Sequence, residues 1–237
     1  MNFLQVHRSN GKDNRKDMRM LTKAPVRIGS GAAEMEGMLE LPPQWDRRAL
    51  GIVLFAHGSG SSRLSPRNNY VARVLREAAI GTLLLDLLTP DEERSAATRF
   101  DIDLLAGRLG IAADWLRTQE ATMALPLGLF GASTGAAAAL QVAADPAAKV
   151  AAVVSRGGRP DLAGADALRS VEAPTLLIVG GDDAGVIALN RQAFGQLGCP
   201  KELAIVPGAS HLFEEPGTLE EVARLASDWF AGHFARS

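Results

Sequence analysis

The pentapeptide Gly131-Ala132-Ser133-Thr134-Gly135 lies between an apolar run at 127–130 and an alanine-rich stretch at 136–144. A G-x-S-x-G sequence between a strand and a helix describes a sharp, strained turn. On such a turn a serine stands exposed while its neighbours must be small enough for the two elements to approach. The helix that follows would aim backbone N–H groups at any negative charge developing beside the serine. A competing reading takes Gly128, Gly131 and Gly135 as the packing glycines of a dinucleotide fold. That fingerprint belongs to the first strand–helix unit of a chain, and no acidic ribose ligand follows at the required distance here.

Outward from this turn, strand and helix signals alternate. Short apolar or β-branched runs occur at 26–28, 35–41, 51–56, 82–86, 127–130, 150–154, 175–179 and 203–206. The run at 35–41 alternates acidic and apolar residues, as a half-exposed antiparallel edge strand would. The later runs are apolar throughout, as strands covered on both faces should be. Helical spacing joins Val71, Val74, Leu75 and Ala78 behind a Ser65-Pro66 start. It also joins Ile102, Leu105, Leu109, Ala112 and Leu116, and again Val186, Leu189, Ala193 and Leu197. Thr218 and Glu221 stand in capping-box register before a last helix that carries Val222, Leu225, Trp229 and Phe230. The pattern predicts one α/β domain over 24–237, an eight-stranded, mostly parallel sheet with its second strand antiparallel and helices on both faces. The polar segment 1–23 reads as a solvated tail.

Composition narrows the function classes. The 237 residues carry 25 Lys and Arg against 27 Asp and Glu, for a formal charge of -2. No basic surplus points to nucleic acid or to an anionic membrane. A single cysteine, Cys199, excludes an internal disulfide and any multi-cysteine metal site, and reads as a small buried apolar residue. No run approaches the roughly 18 apolar residues of a membrane span, and the amino terminus has no apolar core of a secretory signal. The expectation is a soluble cytoplasmic protein.

Ligands of such sheets bind at the carboxyl ends of the strands. An acid follows the seventh predicted strand in Gly180-Gly181-Asp182-Asp183, and a histidine follows the eighth in Gly208-Ala209-Ser210-His211. The order Ser133, Asp, His on successive strand ends suits a serine activated by a histidine base and a carboxylate that orients it. Of the four histidines, only His211 is placed to act as base. Asp183 is preferred over Asp182 as its partner, and Asp161, after the sixth strand, is a more distant alternative. The loop His57-Gly58-Ser59-Gly60 after the third strand would supply the Ser59 amide, or failing that Gly60, to an oxyanion hole shared with the Thr134 amide.

With these residues identified, the chain from about 25 to 234 resembles α/β-hydrolases of the dienelactone-hydrolase-like branch. The likeness rests on the His57-Gly58 loop, the Ser133 turn, the run from Pro174 through Gly181 to Asp183, and Pro207-Gly208-Ala209-Ser210-His211-Leu212-Phe213. Dienelactone hydrolases proper carry a cysteine nucleophile where this chain has Ser133, so a serine esterase is implied. The predicted activity is cleavage of small carboxylic esters or lactones through an acyl-enzyme, with no cofactor, metal, nucleic-acid or membrane partner. A non-catalytic binding module, or the same triad turned to C–C hydrolysis or perhydrolysis, are the alternatives. Only 155–173 separates the sixth and seventh strands, too little for a large cap domain. Four loop arginines, Arg63, Arg67, Arg156 and Arg159, could clamp an anionic substrate if two of them converge.

Overall fold

The computed structural model describes residues 23–42 and 49–235. The segment expected to be a tail lies outside these residues, except Lys23, which opens the first strand. Among the described residues one sheet contains β1 (Lys23–Ser30), β2 (Ala33–Glu40), β3 (Gly51–Ala56), β4 (Ile80–Leu85), β5 (Leu127–Ala132), β6 (Val150–Arg156), β7 (Thr175–Gly180) and β8 (Lys201–Val206). Their order is β1-β2-β4-β3-β5-β6-β7-β8, with β2 antiparallel to both neighbours and every pair from β4 to β8 parallel.

The helices are α1 (Pro66–Glu77), α2 (Pro90–Glu93), α3 (Ala96–Arg99), α4 (Ile102–Thr118), α5 (Thr134–Ala143), α6 (Ala165–Ser170), α7 (Ala184–Gln196) and α8 (Thr218–Phe234). Side chains alternate across each strand and so feed two cores. Ile52, Leu54, Leu129, Val153 and Leu177 face α4 and α5 on one side. Val53, Phe55, Phe130, Val154 and Ile178 face α1 and α8 on the other. Phe230 and Phe234 of α8 lie against Gly128 and Gly51, where a Cβ would come within 2.6 and 2.3 Å of a ring carbon. These glycines make room for aromatic rings whose burial contributes roughly 1.5–3 kcal/mol each.

Three local expectations need correction. The alternating strand β2 is not at the edge, because β1 covers it. Its acidic side chains instead meet basic ones, as in Arg27–Glu34 and Lys23–Glu40 across the hairpin. At the opposite edge β8 is not covered on both faces, and Ile205 is 37% exposed. The Thr218–Glu221 capping box does not form. Gly217, in a left-handed conformation at φ 83°, starts α8, and the Thr218 hydroxyl donates back to the Glu215 carbonyl at 2.7 Å.

A capping box does form before α2, where the Thr89 and Glu92 side chains each accept the other residue's amide. Glu92 also receives both terminal nitrogens of Arg108 at 2.6 Å, and Arg108 donates to the Leu87 carbonyl at 2.7 Å. Arg108 is buried on α4, so this fork fastens the excursion at 87–100, between β4 and α4, to the body of the domain. Its hydrogen bonds from Arg108 hold the Glu92 carboxyl down to about 2. A carboxyl pKa depressed on folding contributes stability in full above the ordinary value near 4.5, and loses it as pH falls through about 2. Glu92→Gln is therefore expected to remove about 2 kcal/mol at neutral pH, a figure reduced for partial exposure. It should also flatten the fall in melting temperature between pH 4.5 and 2, which thermal unfolding across that window would measure.

Candidate active site

β5 turns into α5 at Ser133, whose backbone lies at φ 50°, ψ -122°. An L-residue there carries strain of order 1–3 kcal/mol unless its surroundings enforce it. They do so through backbone bonds and through close approach. The Ser133 amide donates to the Arg156 carbonyl at 3.3 Å, and the Arg159 amide donates to the Ser133 carbonyl at 3.0 Å. A Cβ on Gly131 would stand 2.4 Å from the Ala136 Cα, and one on Gly135 would stand 2.3 Å from the Ala56 carbonyl oxygen. Ser133 occupies the cap position of α5 but makes no capping hydrogen bond, so its hydroxyl is left for other work.

The ends of β7 and β8 are interlocked. The Gly181 amide donates to the Val206 carbonyl at 2.8 Å, and the Asp182 amide to the Ala209 carbonyl at 3.0 Å. This register brings His211 Nδ1 to 2.7 Å from Asp183 Oδ2. Asp183 is itself the cap residue of α7, yet its carboxylate forgoes the cap and takes the imidazole N–H. Asp182 contributes its amide to the loop, and Asp161 is held by Nε and Nη2 of Arg159 at 2.9 and 2.8 Å. The turn beyond His211 is fixed by Glu215, which accepts the Ser210 amide at 3.0 Å. Hydrogen bonding from the Ser210 side chain, and then from its amide, lowers the Glu215 carboxyl from its ordinary range. The His211 ring lies over Gly157, where a Cβ would be 3.6 Å from His211 Cε1. Ring and serine thus share the end of β6.

The loop after β3 reaches the same place. A Cβ on Gly58 would meet Ser133 Cβ at 2.8 Å. His57 fixes this loop. Its Nε2 accepts the Leu87 amide at 3.0 Å, so the ring proton sits on Nδ1, which faces the Gly58 carbonyl at 3.0 Å. The Ser59 amide, expected from the sequence to serve an oxyanion hole, donates to the Thr134 hydroxyl at 3.0 Å. The Gly60 amide donates to the Glu93 carboxylate at 2.7 Å. The 87–100 excursion therefore borders the site through Glu93. This side-chain role of Thr134, and that of Glu93, escaped the sequence reading, since both contacts join segments 33 or more positions apart.

The four arginines divide. Arg63 is held by Asp86 and by Glu36, the latter at 2.7 Å, and Arg159 is held by Asp161. These two are committed to carboxylates. Arg67, paired with the exposed Glu214 at 3.1 Å, and Arg156, which reaches Asn68, lie together at the first turn of α1. Burial, and then the nearby Arg67, lower the Arg156 guanidinium to about 10. Between β6 and β7 stand only a 3₁₀ turn (Pro160–Ala163) and α6. Among the described residues no cluster of His, Cys, Asp or Glu is arranged to hold a metal ion, and no helix is long and apolar enough to cross a membrane.

A crystal structure of dienelactone hydrolase from Anabaena variabilis is 55% identical to this chain, with a TM-score of 0.84, and covers 89% of it and 97% of its own length. This chain belongs to the dienelactone hydrolase family. An α/β serine hydrolase without lid from Xanthomonas campestris, at 21% identity and a TM-score of 0.71 over 91% of this chain and 94% of its own, shares the fold. The sheet order, the antiparallel second strand and the short β6–β7 connection are those of an α/β-hydrolase without a large cap. No protein-family model matches the chain. Two Mycobacterium tuberculosis proteins bearing the provisional name phosphoribosyl transferase are 59% identical over 208 residues, 88% of this chain and 46% of theirs. The chain spans about half the length of these curated relatives.

The close fit around the serine turn has a measurable cost. Gly135→Ala would put a methyl against two main-chain carbonyl oxygens, those of Ala56 and His57, at 2.3 and 2.6 Å. Neither can rotate away. A loss of about 3 kcal/mol in urea unfolding is expected. Gly107→Ala in α4, which would meet nothing within 4 Å, should instead gain up to about 1 kcal/mol.

Proposed function

We propose that this dienelactone hydrolase family member is a serine hydrolase that cleaves small carboxylic esters or lactones through an acyl-enzyme. The observation that carries the reading is the bond from His211 Nδ1 to Asp183, made by a carboxylate that gives up its own helix cap. With Nδ1 so engaged, His211 presents Nε2 as the base. Ser133 Oγ attacks the carbonyl carbon as its proton passes to Nε2, and Asp183 steadies the resulting imidazolium. His211 then protonates the departing alkoxide, leaving an ester on Ser133. Water deprotonated by the same Nε2 releases the acid and restores the serine.

The oxyanion of each tetrahedral intermediate is held by the amides of Thr134 and Ser59. The Ser59 amide rests on the neutral Thr134 hydroxyl, and a bond to a full negative charge is roughly twice as strong, so the amide transfers to the oxyanion as charge develops. Gly60 is the poorer donor, because its amide is already committed to the Glu93 carboxylate. The small β6–β7 connection favours compact substrates, since it offers little apolar enclosure for a long acyl chain. The name phosphoribosyl transferase belongs to proteins about twice as long. For the part shared with this chain, the serine, histidine and aspartate geometry supports hydrolysis.

Exposure to a fluorophosphonate followed by intact-mass and peptide analysis tests the nucleophile. One adduct on Ser133 is expected in the native chain and none in His211→Ala. A folded native chain that takes no adduct would overturn the reading in favour of a binding module. On an ester substrate, Ser133→Ala should lower kcat by up to about 10⁶-fold. Asp183→Asn should lower it by about 10⁴-fold and Asp182→Asn far less, and the opposite ranking would transfer the acid to Asp182.

A further inference from the structure

The loop that follows β3 is laid against one short stretch of chain, the segment 86–93 that leaves β4 and forms α2. His57 Nε2 accepts the Leu87 amide at 3.0 Å, and the Gly60 amide donates to Glu93 Oε1 at 2.7 Å. Asp86 receives both the amide and the guanidinium of Arg63. The segment is held in turn from the body of the domain. Arg108 grips the Leu87 carbonyl and both oxygens of Glu92, and the Thr89 cap closes the first turn of α2. Glu92 and Glu93 are adjacent but serve different partners. Glu92 fastens the segment to the domain, and Glu93 fastens the loop to the segment.

Packing alone does not hold the middle of this loop. Gly58 is wedged against Ser133, where a Cβ would meet Ser133 Cβ at 2.8 Å. Gly60, at φ 72°, is exposed, and a Cβ there would meet nothing within 4 Å. The Ser61 amide donates to the Gly58 carbonyl at 3.1 Å, closing a four-residue turn whose third residue has the positive φ that suits glycine. Glycine is also the residue freest to leave such a conformation. Ser59 thus stands between a tightly packed glycine and an unpacked one. The peptide before Ser59 carries the amide aimed at the Thr134 hydroxyl, and the peptide after it carries the Gly60 amide held by Glu93. Holding both peptides fixes both backbone torsions of Ser59.

We propose that Glu93 is a positioning residue, which acts through the Gly60 amide to hold the Ser59 amide at the angle where it meets the oxyanion. The role requires an acceptor oxygen at the reach of Oε1, not a negative charge. The oxyanion here rests on the hydrolase reading above; the tether from Glu93 to the loop does not. Donors of an oxyanion hole act because they are oriented before charge develops, and a misplacement of about 1 Å can cost about 10²-fold. Full negative charge forms only on the way to the tetrahedral intermediate, so a loosened donor lowers kcat and leaves KM in place.

Hydrolysis of 4-nitrophenyl butyrate by Glu93→Ala, Glu93→Ser and Glu93→Gln tests the assignment. The alanine and serine variants, too short to reach Gly60, should lose at least about tenfold in kcat with KM within about twofold of native. Glu93→Gln keeps an acceptor of the same reach and should recover kcat to within about threefold. Melting temperatures should stay within about 2 °C of native in all three, because Glu93 lies outside the Arg108 fork. A loss below about tenfold in both short variants overturns the proposal. A glutamine variant as slow as the alanine one overturns it too, by making the charge the agent instead of the bond. Proton exchange at the Gly60 amide, followed by NMR, reads the tether without substrate. It should quicken at least about fivefold in Glu93→Ala and stay near native in Glu93→Gln. Unchanged exchange in Glu93→Ala overturns the proposal whatever the kinetics. If the native chain takes no fluorophosphonate and hydrolyses no ester while Gly60 exchange responds as expected, the hydrolase reading fails and the tether stands.

Discussion

The hydrogen bonds that tie the Ser133 backbone to the end of β6 hold the carboxyl edge of the sheet together. Ser133 sits where an L-residue is uncomfortable, at φ 50°, and it stays there because its amide and carbonyl are both captured, by Arg156 and Arg159. That capture requires α5 to start almost in contact with β3, and so requires Gly135 under the Ala56 carbonyl. It also sets where β6 ends, and β6 carries Gly157 beneath the His211 ring. A strained residue of this kind persists only when its surroundings over-determine it, and here three strand ends do so.

Two helices at this edge begin without the side-chain cap their sequences could supply. Ser and Asp are among the best cap residues, and each such cap stabilises its helix by about 1 kcal/mol. Ser133 before α5 and Asp183 before α7 make no cap bond. Elsewhere Ser65 caps α1, Thr89 caps α2 and Asp101 caps α4, with only Ser95 before the one-turn α3 leaving its cap unmade among the Ser, Thr and Asp caps of the other described α-helices. The contrast lies on the link between packing and function. Stability is forgone at the serine of the β5–α5 turn and at the aspartate whose carboxylate takes His211 Nδ1 in place of its cap.

Much of this architecture was legible in the sequence, because it is written in local pattern. All eight strand runs fall within observed strands or overrun them by a residue, since a continuous apolar stretch with glycine at its end leaves few other solutions. Of the adjacent pair Asp182 and Asp183, the second turns toward the His211 ring and the first gives its amide to Ala209. What stayed hidden depends on encounters between distant segments. Nothing near Ser59 announces that its amide meets the Thr134 hydroxyl 75 positions away, and nothing near Arg63 announces Asp86. The Arg159–Asp161 pair is two positions apart and could have been read as a local ion pair. Arg108 left a trace too, as a charge set among the apolar positions Leu105, Leu109 and Ala112 of α4, all buried with it.

The short connection between β6 and β7 also bears on how a ligand could be retained. A site with a cap domain draws affinity from apolar area removed from water, about 25 cal/mol for each Å². With only a 3₁₀ turn and α6 in that connection, little such area is on offer. Binding energy must then come from a few polar contacts made by groups already held in place, which lose little entropy when they engage. The chain keeps Asp86, Glu36 and Asp161 for Arg63 and Arg159, and gives Arg156 only Asn68 and the face of Phe213. An unpaired guanidinium is a poor element of stability, because its desolvation is not repaid within the chain.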